Sequence, residues 1–283
     1  MQRSIALPVL FAMLVLPTLA GCNKIQARAE LKKGNTYYQQ ESYTKALDQY
    51  AHGLELDPDA TFAWRSLGLT ALALYRPGDE SPQNVKYGNQ AIEAFEKYLA
   101  DYPDDSKVQE YLMTMYVNTK RFNDALEYID QQHQLAQSEG MVDRAAELQT
   151  YKIKVLTQMG RIDQAWALAQ QTQGEKRAEM LYSVGVAAWD KAYNDPTFDA
   201  ITREKIVDTG LQAIDAAVKA REDYFEAMAY YNLLYREKAK LALDANQRVE
   251  YSAKADEWQK KAIEVRKKQQ EQQAKQAAEA TQG

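Results

Sequence analysis

An alanine, an aromatic residue and a proline recur at the same spacing along this chain, and a glycine precedes each set. The first two occurrences of the pattern are Gly34, Ala46, Tyr50 and Pro58, and then Gly68, Ala91, Phe95 and Pro103. Self-similarity of this kind is the signature of repeat proteins, in which each helix pair buries its apolar face only by stacking on its neighbours. The sequence therefore predicts an array of repeats.

The pattern resembles the tetratricopeptide repeat (TPR), a helix–turn–helix of about 34 residues with large residues near positions 4, 7, 11 and 24 and small ones near 8, 20 and 27. Residues 27–60 match it closely, with Gly34 at position 8 and Ala46 at position 20. Gly and Pro are scarce, at 12 and 7 residues, as expected of a helical chain. The resemblance implies an all-α, right-handed superhelical solenoid of antiparallel helix pairs, with about five to six repeats.

The match varies along the chain and defines the predicted organisation. Residues 27–174 form regular repeats, interrupted by a loop insertion at about 76–88 that holds several Gly and Pro breakers. Residues 175–265 form divergent TPR-like helices. Residues 266–283 are polar and low in complexity, which predicts a helical extension or a disordered tail.

Within the divergent region, one segment still resembles the first helix of a repeat. Tyr182, Val184 and Gly185 give its pattern of large and small residues. Residues 193–203 are predicted to be a second loop insertion before the partner helix. The register in this region is therefore less well determined than in the regular repeats.

The N-terminus predicts export and a lipid anchor. Arg3 precedes an apolar run over residues 5–16, which is shorter than the roughly 20 residues that a membrane-spanning helix needs. The run ends in Leu19-Ala20-Gly21-Cys22, which resembles the lipobox of bacterial lipoproteins. Two alternatives stay open at this stage, namely an ordinary secretory signal with a chance cysteine and an uncleaved anchor.

The lipobox resemblance implies removal of the signal peptide, residues 1–21, and acylation of Cys22 with fatty acids such as palmitate. Residues 22–26 would then be the acylated tether. Cys22 is the single cysteine, so no disulfide can form within the chain. Asn23 follows it, and the sorting rule of enteric bacteria then predicts an outer-membrane lipoprotein that faces the periplasm.

No residue constellation in the sequence points to catalysis, to a metal site or to a cofactor other than the covalent lipid. His52 and His133 lie in different repeats without a His or Cys partner at metal-binding spacing. There is no Gly-rich phosphate loop and no nucleophile elbow. The net charge of −5 provides no basic face for a nucleic acid. We therefore expect a protein that is not an enzyme.

The remaining candidate for function is surface. In TPR proteins, positions 2, 5, 9, 12 and 13 of the first helix line the concave face, where a peptide or a partner helix docks. The TPR resemblance therefore implies a partner-binding face. Its predicted residues are Asn35, Tyr38, Arg65, Leu69, Lys107, Thr114, Asn118, Tyr231 and Tyr235.

Anchor and repeats together predict an interaction scaffold for an envelope assembly complex. The combination resembles the BamD-type lipoproteins of β-barrel assembly and the PilF/PilW-type lipoproteins of pilus secretin assembly. The alternative is an accessory binding protein for peptidoglycan enzymes or for polysaccharide export. A third hypothesis, an enzyme within residues 175–265, has no residue that supports it. The sequence names neither the partner nor the oligomeric state.

Overall fold

The computed structural model describes residues 16–280, with side chains from Asn23 onward. Within these residues the chain forms twelve helices and no strand. Residues 1–15 of the predicted signal peptide, the Cys22 side chain and residues 281–283 lie outside this description. The helices are α1 Leu16–Gln39, α2 Tyr43–Leu56, α3 Phe62–Leu74, α4 Pro82–Asp101, α5 Ser106–Asn118, α6 Phe122–Ser138, α7 Val142–Gln158, α8 Ile162–Ala169, α9 Arg177–Asn194, α10 Ala200–Ala220, α11 Phe225–Leu241 and α12 Ala245–Ala280.

Most helices pack on the next helix in the chain, as α1 does on α2, α3 on α4 and α9 on α10. In the first pair, a Cβ on Gly34 would lie 2.8 Å from the Tyr50 ring, and one on Gly53 would lie 2.7 Å from Leu31. The contacts run in opposite directions along α1 and α2, as an antiparallel pair requires. Both glycines hold small-residue positions of the TPR pattern, so the predicted all-α TPR class is confirmed.

The chain divides into two compact units, an N-terminal unit that ends at Ala125 and a C-terminal unit that begins at Leu126. The N-terminal unit contains α1 to α5, and the C-terminal unit contains α7 to α12. The division falls inside α6. The match to the repeat pattern is poorer after residue 175. The packing nevertheless continues across this point, because α9 contacts both α7 and α8.

Side-chain caps and special backbone conformations define the helix ends. At the start of α5, the Asp105 carboxylate accepts a hydrogen bond from the Val108 amide at 3.1 Å. The ends of α1, α5, α6 and α7 instead place one residue in the left-handed region. These residues are Glu41 (φ 56°), Lys120 (φ 60°), Gly140 (φ 71°) and Gly160 (φ 70°).

The structure corrects two predicted boundaries. The insertion predicted at about 76–88 is a loop only over residues 75–81, because α4 begins at Pro82. The insertion predicted at 193–203 shortens to residues 195–199, because α9 continues to Asn194. Of the two forms predicted for residues 266–283, the described part takes the helical one, because α12 continues to Ala280.

The predicted tether, residues 22–26, lies within α1. The side chains of residues 23–26 are exposed, and the packed part of α1 begins at Ala27, whose side chain is fully buried. Lys24 Nζ lies 3.9 Å from the Asp57 carboxylate and 3.7 Å from that of Asp59. In the described part of the chain, no helix is both long and apolar enough to span a membrane.

The left-handed residue Glu41 gives a test of turn energetics. Glu41→Gly should raise the free energy of unfolding by about 1 kcal/mol, because a side chain at positive φ costs roughly that much. Gly140→Ala is the matched opposite. An added Cβ there meets nothing within 4 Å, so the variant should lose about 1 kcal/mol through backbone strain alone. Urea unfolding of both variants measures the changes, and equal stabilities would contradict the assignment.

Candidate functional site

In the N-terminal unit, the predicted concave residues of α1 and α3 make contacts within the protein. Asn35 Oδ1 accepts a hydrogen bond from the Tyr50 hydroxyl at 2.7 Å. The Arg65 guanidinium lies 3.4 Å from the Asp105 carboxylate. Tyr38 is exposed at the end of α1, and Leu69 is half-buried. These residues leave a modest, mixed surface without a continuous apolar or charged strip.

The three predicted residues of α5 lie in different surroundings. Lys107 Nζ pairs with Glu110 at 2.7 Å, at the start of the helix. Thr114 is exposed. Asn118 ends the helix, and its carbonyl oxygen accepts a hydrogen bond from the Tyr75 hydroxyl at 2.9 Å. Asn118 therefore belongs to the edge of the unit, next to the α3–α4 loop.

Tyr231 is a correction to the predicted partner-binding face. Only 6% of its surface is exposed, because its ring stacks on Trp258 of α12 with 4.3 Å between centroids. Its hydroxyl donates a hydrogen bond to Asp215 Oδ1 at 2.8 Å. Burial and the Asp215 carboxylate together raise the Tyr231 pKa well above its ordinary value. Tyr231 is a packing residue between α10, α11 and α12.

Tyr235 shares this environment. Its ring stacks on Tyr231 at 5.6 Å and on Tyr251 of α12 at 6.3 Å. The register assumed for α11 therefore assigned to the partner-binding face two residues that contact α12, Tyr231, which is buried, and Tyr235, which is half-buried. The physical reason is that α12 packs along the face of α11 that carries them.

A different set of aromatic residues lies side by side in the C-terminal unit, and most of them are half-buried against its core. Tyr182, Trp189 and Tyr193 are spaced by seven and four residues on α9, so they lie along one helix face. We call these three residues, together with Tyr224 and Tyr230, the aromatic stripe.

The rings of the aromatic stripe contact one another in sequence. Tyr182 lies 5.0 Å from Tyr224 and 5.5 Å from Tyr230, measured between ring centroids. Tyr230 meets Trp189 edge-on at 5.6 Å, and Trp189 stacks on Tyr193 at 5.2 Å. All of these distances fall in the range of favourable aromatic pairs. Two helices, α9 and α11, thus share a single row of rings.

In the TPR numbering, two residues of the stripe take positions that line the concave face in TPR proteins. A Cβ on Gly185 would lie 2.4 Å from Ile214 of α10, so Gly185 holds the close-packed position 8. Tyr182 is then at position 5 and Trp189 at position 12, both concave positions in the family. Sequence reasoning missed these residues because it applied the numbering to other repeats and assigned residue 193 to a loop.

The stripe runs from a buried end to an open one. Tyr224 is 8% exposed, whereas Tyr193 is 54% exposed. A cation covers the ring at each end. The Arg221 guanidinium lies 4.5 Å from the Tyr224 ring centre, and Lys240 Nζ lies 5.2 Å from that of Tyr193. Burial, with Tyr230, Tyr224 and Glu226 nearby, raises the pKa of Tyr182 to about 12.

This arrangement is suited to binding by stacking. Among the described residues, no group of three or more His, Cys, Asp or Glu side chains could hold a metal ion. His52 lies at the surface, with Nδ1 3.4 Å from the Glu55 carboxylate. The stripe itself presents ring faces and hydroxyl groups and no activated nucleophile. Its chemistry is that of a platform for a ligand with flat or apolar groups.

Comparisons with known proteins find likeness only among solved structures. No protein-family model matches the chain, and no curated protein does. YrrB, a TPR protein with an unusual peptide-binding site, is 19% identical, with a TM-score of 0.44 over 76% of this chain and 96% of that chain. A TPR repeats protein from Bacteroides fragilis is 14% identical, with a TM-score of 0.40 over 76% and 98%.

PilW, described as a widely conserved type IV pilus biogenesis factor, is also similar. It is 14% identical, with a TM-score of 0.38 over 80% of this chain and 90% of that chain. The helix-pair architecture described above stands on the chain's own contacts, independently of these likenesses.

Tyr182 gives a pH-dependent test of the stripe. Its pKa is about 12 in the folded protein, against about 10 in an unfolded chain. The unfolded state releases the proton first, so this stabilising contribution is complete below pH of about 10 and is lost as the pH rises through about 12. Urea unfolding at a series of alkaline pH values should show a shallower loss of stability in Tyr182→Phe than in the wild type. An equal loss of stability with pH in the two proteins would contradict a raised pKa of Tyr182.

Proposed function

We propose that this protein is a non-enzymatic, membrane-anchored scaffold that holds an extended peptide segment of another envelope protein against the aromatic stripe. The stripe carries this proposal. It combines a row of contacting rings with an open end at Tyr193, on the face where the TPR numbering puts the ligand.

The physical properties of the rings favour a peptide ligand. Tyr and Trp provide a large contact area and lose little conformational entropy on binding, because each has only two side-chain torsions. Packing against Tyr230 already holds the Tyr182 and Trp189 rings in place before a ligand arrives. A preorganised surface keeps more of its contact energy as affinity.

The anchor belongs to the same proposal. Leu19-Ala20-Gly21-Cys22 follows an apolar run of signal-peptide length, and a multiply acylated Cys22 would hold the chain firmly at a membrane. With Asn23 next to it, the location we propose is the periplasmic face of the outer membrane. The partner is then a component of outer-membrane protein or pilus and secretin assembly.

A second candidate function is binding of a glycan, either peptidoglycan or an exported polysaccharide, directly or with its enzymes. The observation that favours it is the same row of partly exposed rings, because a stacked aromatic platform offers flat apolar faces to sugar rings. Glu226, near Tyr182 and Tyr224, and Glu179, near Tyr224, supply acceptors for hydroxyl groups.

Site-specific photo-crosslinking tests the stripe. A photoreactive residue at position 193, introduced in intact cells, should give a defined crosslinked product. Trp189→Ala should reduce its yield by about tenfold or more, because aromatic residues at the centre of an interface carry much of the binding energy. Trp189→Phe should retain part of the yield. Protease digestion removes a peptide adduct, whereas a peptidoglycan hydrolase removes a glycan adduct.

The matched control is position 201. Ile201 is 82% exposed on α10, the second helix of the same pair. A photoreactive residue there should give no comparable product. Equal products at positions 193 and 201, or full yield in a folded Trp189→Ala protein, would place binding on another surface.

Metabolic labelling tests the anchor. Cells fed an alkyne-tagged palmitate analogue should label the wild-type protein and should not label Cys22→Ser, which lacks the thiol that accepts the lipid. Ile25→Ser is the control, because Ile25 is 71% exposed on α1 and lies just beyond the lipobox. It should remain labelled. Labelling of Cys22→Ser, or no labelling of the wild type, would contradict lipidation at this residue.

A further inference from the structure

The N-terminal unit contains a cavity that the stripe does not involve. Its volume is about 310 Å³, and it lies between the α3–α4 loop and the turn that follows α5. The residues that line it include Tyr75, Glu80, Val85, Asn89, Asn118 and Lys120. It is therefore at the edge of the helix array, where the two helices of a pair are joined. Of the residues predicted for the partner-binding face, it includes Asn118.

A buried asparagine fixes the loop that forms one wall. Asn84 is 4% exposed, and its Nδ2 donates to the carbonyl oxygens of Arg76 at 2.8 Å and Asp79 at 2.6 Å. Its Oδ1 accepts from the Arg76 amide at 2.7 Å. All the amide hydrogens and the oxygen are thus used within one loop. A fully satisfied buried polar network of this kind specifies a single loop conformation.

The floor of the cavity is formed by close approach of α4 to its neighbours. A Cβ on Gly88 would lie 2.9 Å from Thr119 Cγ2 and 3.1 Å from Tyr75 Cε2, so only glycine allows this spacing. The Tyr75 hydroxyl is tied to the Asn118 carbonyl oxygen, which holds the ring in place. Val85, 48% exposed, lies on α4 beside this floor.

The rim carries charges that compensate one another. Lys120 Nζ lies 3.2 Å from Glu80, across from one loop to the other. Arg121 pairs with Asp124, and Asp79 accepts a hydrogen bond from the Ser81 amide. Two acidic and two basic side chains line the cavity, so it exerts little net field on a ligand. A neutral ligand fits this balance better than a charged one.

Two side-chain amides are available beside the apolar floor. Asn89 lies one helical turn beyond Val85 on α4, and Asn118 ends α5. Neither side chain makes a hydrogen bond to another described residue. A primary amide donates and accepts at the same time, which matches the N–H and C=O groups of a peptide backbone.

We propose that this cavity is a second binding site, for an uncharged, extended peptide segment of a partner protein. One aliphatic side chain of the segment packs against Tyr75 and Val85, and Asn89 and Asn118 bond its main-chain amides. The volume is at the lower end of that of ligand pockets, which suits a single side chain with its flanking peptide groups.

This site is independent of the aromatic stripe. It lies in the N-terminal unit and the stripe in the C-terminal unit, so either one can fail without the other.

Nuclear magnetic resonance with selectively ¹⁵N-labelled asparagine tests the cavity in the full chain. The probe is the blocked peptide acetyl-Gly-Leu-Gly-amide. It should shift the side-chain amide signals of Asn89 and Asn118 in a saturable manner at millimolar concentration. The affinity of acetyl-Gly-Gly-Gly-amide should be lower by about tenfold or more, because this peptide lacks the apolar side chain. Peptides with Asp or Lys in place of Leu should also bind more weakly.

Variants complete the test. Asn89→Ala should weaken binding by about threefold or more through loss of hydrogen bonds. Val85→Trp should abolish it by filling the cavity from an exposed position. Asn123→Ala, an exposed asparagine outside the cavity, should bind as the wild type does. Should Val85→Trp not fold, Asn89→Ala decides alone.

Three outcomes would overturn the proposal. The first is no saturable shift of either asparagine signal with the leucine peptide. The second is unchanged binding in folded Asn89→Ala. The third is equal or tighter binding of N-acetylglucosamine, which would identify a sugar site. None of them bears on the crosslinking result at position 193.

Discussion

The close approach of paired helices at small residues is the constraint on which the rest of this structure depends. A Cβ on Gly68 would lie 2.5 Å from Phe95, and one on Gly185 would lie 2.4 Å from Ile214. Neither position therefore has room for a larger residue. Each such contact fixes which side of the first helix faces its partner. The side chains at the remaining positions are then either shared with the next pair or left exposed. The aromatic stripe combines the two, since Tyr182 and Trp189 contact Tyr230 of the next pair and Tyr193 is 54% exposed.

The two aromatic sets of the C-terminal unit show how much a neighbouring helix decides. Tyr230 and Tyr231 are adjacent in sequence, yet Tyr230 contributes to a row of partly exposed rings, whereas Tyr231 is enclosed by Trp258 and Asp215. Successive residues on a helix point about 100° apart, so one register error exchanges a ligand-facing residue for a packed one. The prediction at Tyr231 was wrong for this reason, and the same numbering anchored on Gly185 leads to Tyr182 and Trp189.

The insertion after α3 shows a second limit of sequence reasoning. Pro77-Gly78 and Ser81-Pro82 indicated a break, and the chain does leave the helix there. Ser81-Pro82, however, starts α4, since Ser81 caps the helix and proline is favoured in its first turn. Breaker residues mark a boundary without saying on which side of it the helix lies. The cavity beside this loop depends on the hydrogen bonds from Asn84 to residues 76 and 79 and on the approach of Gly88 to Tyr75 and Thr119. These contacts form only when the chain folds.

The sequence by itself determined the all-α class, the pairing of helices and the small positions at which they touch, because the spacing of large and small residues is a local property of each helix. It also carries the lipobox prediction at Cys22, which depends on a short motif alone. Tertiary structure decided which tyrosines are covered, where the insertion ends, and that a cavity forms at the edge of the N-terminal unit. Burial depends on helices far apart in sequence, and α12 covering Tyr231 is the clearest case.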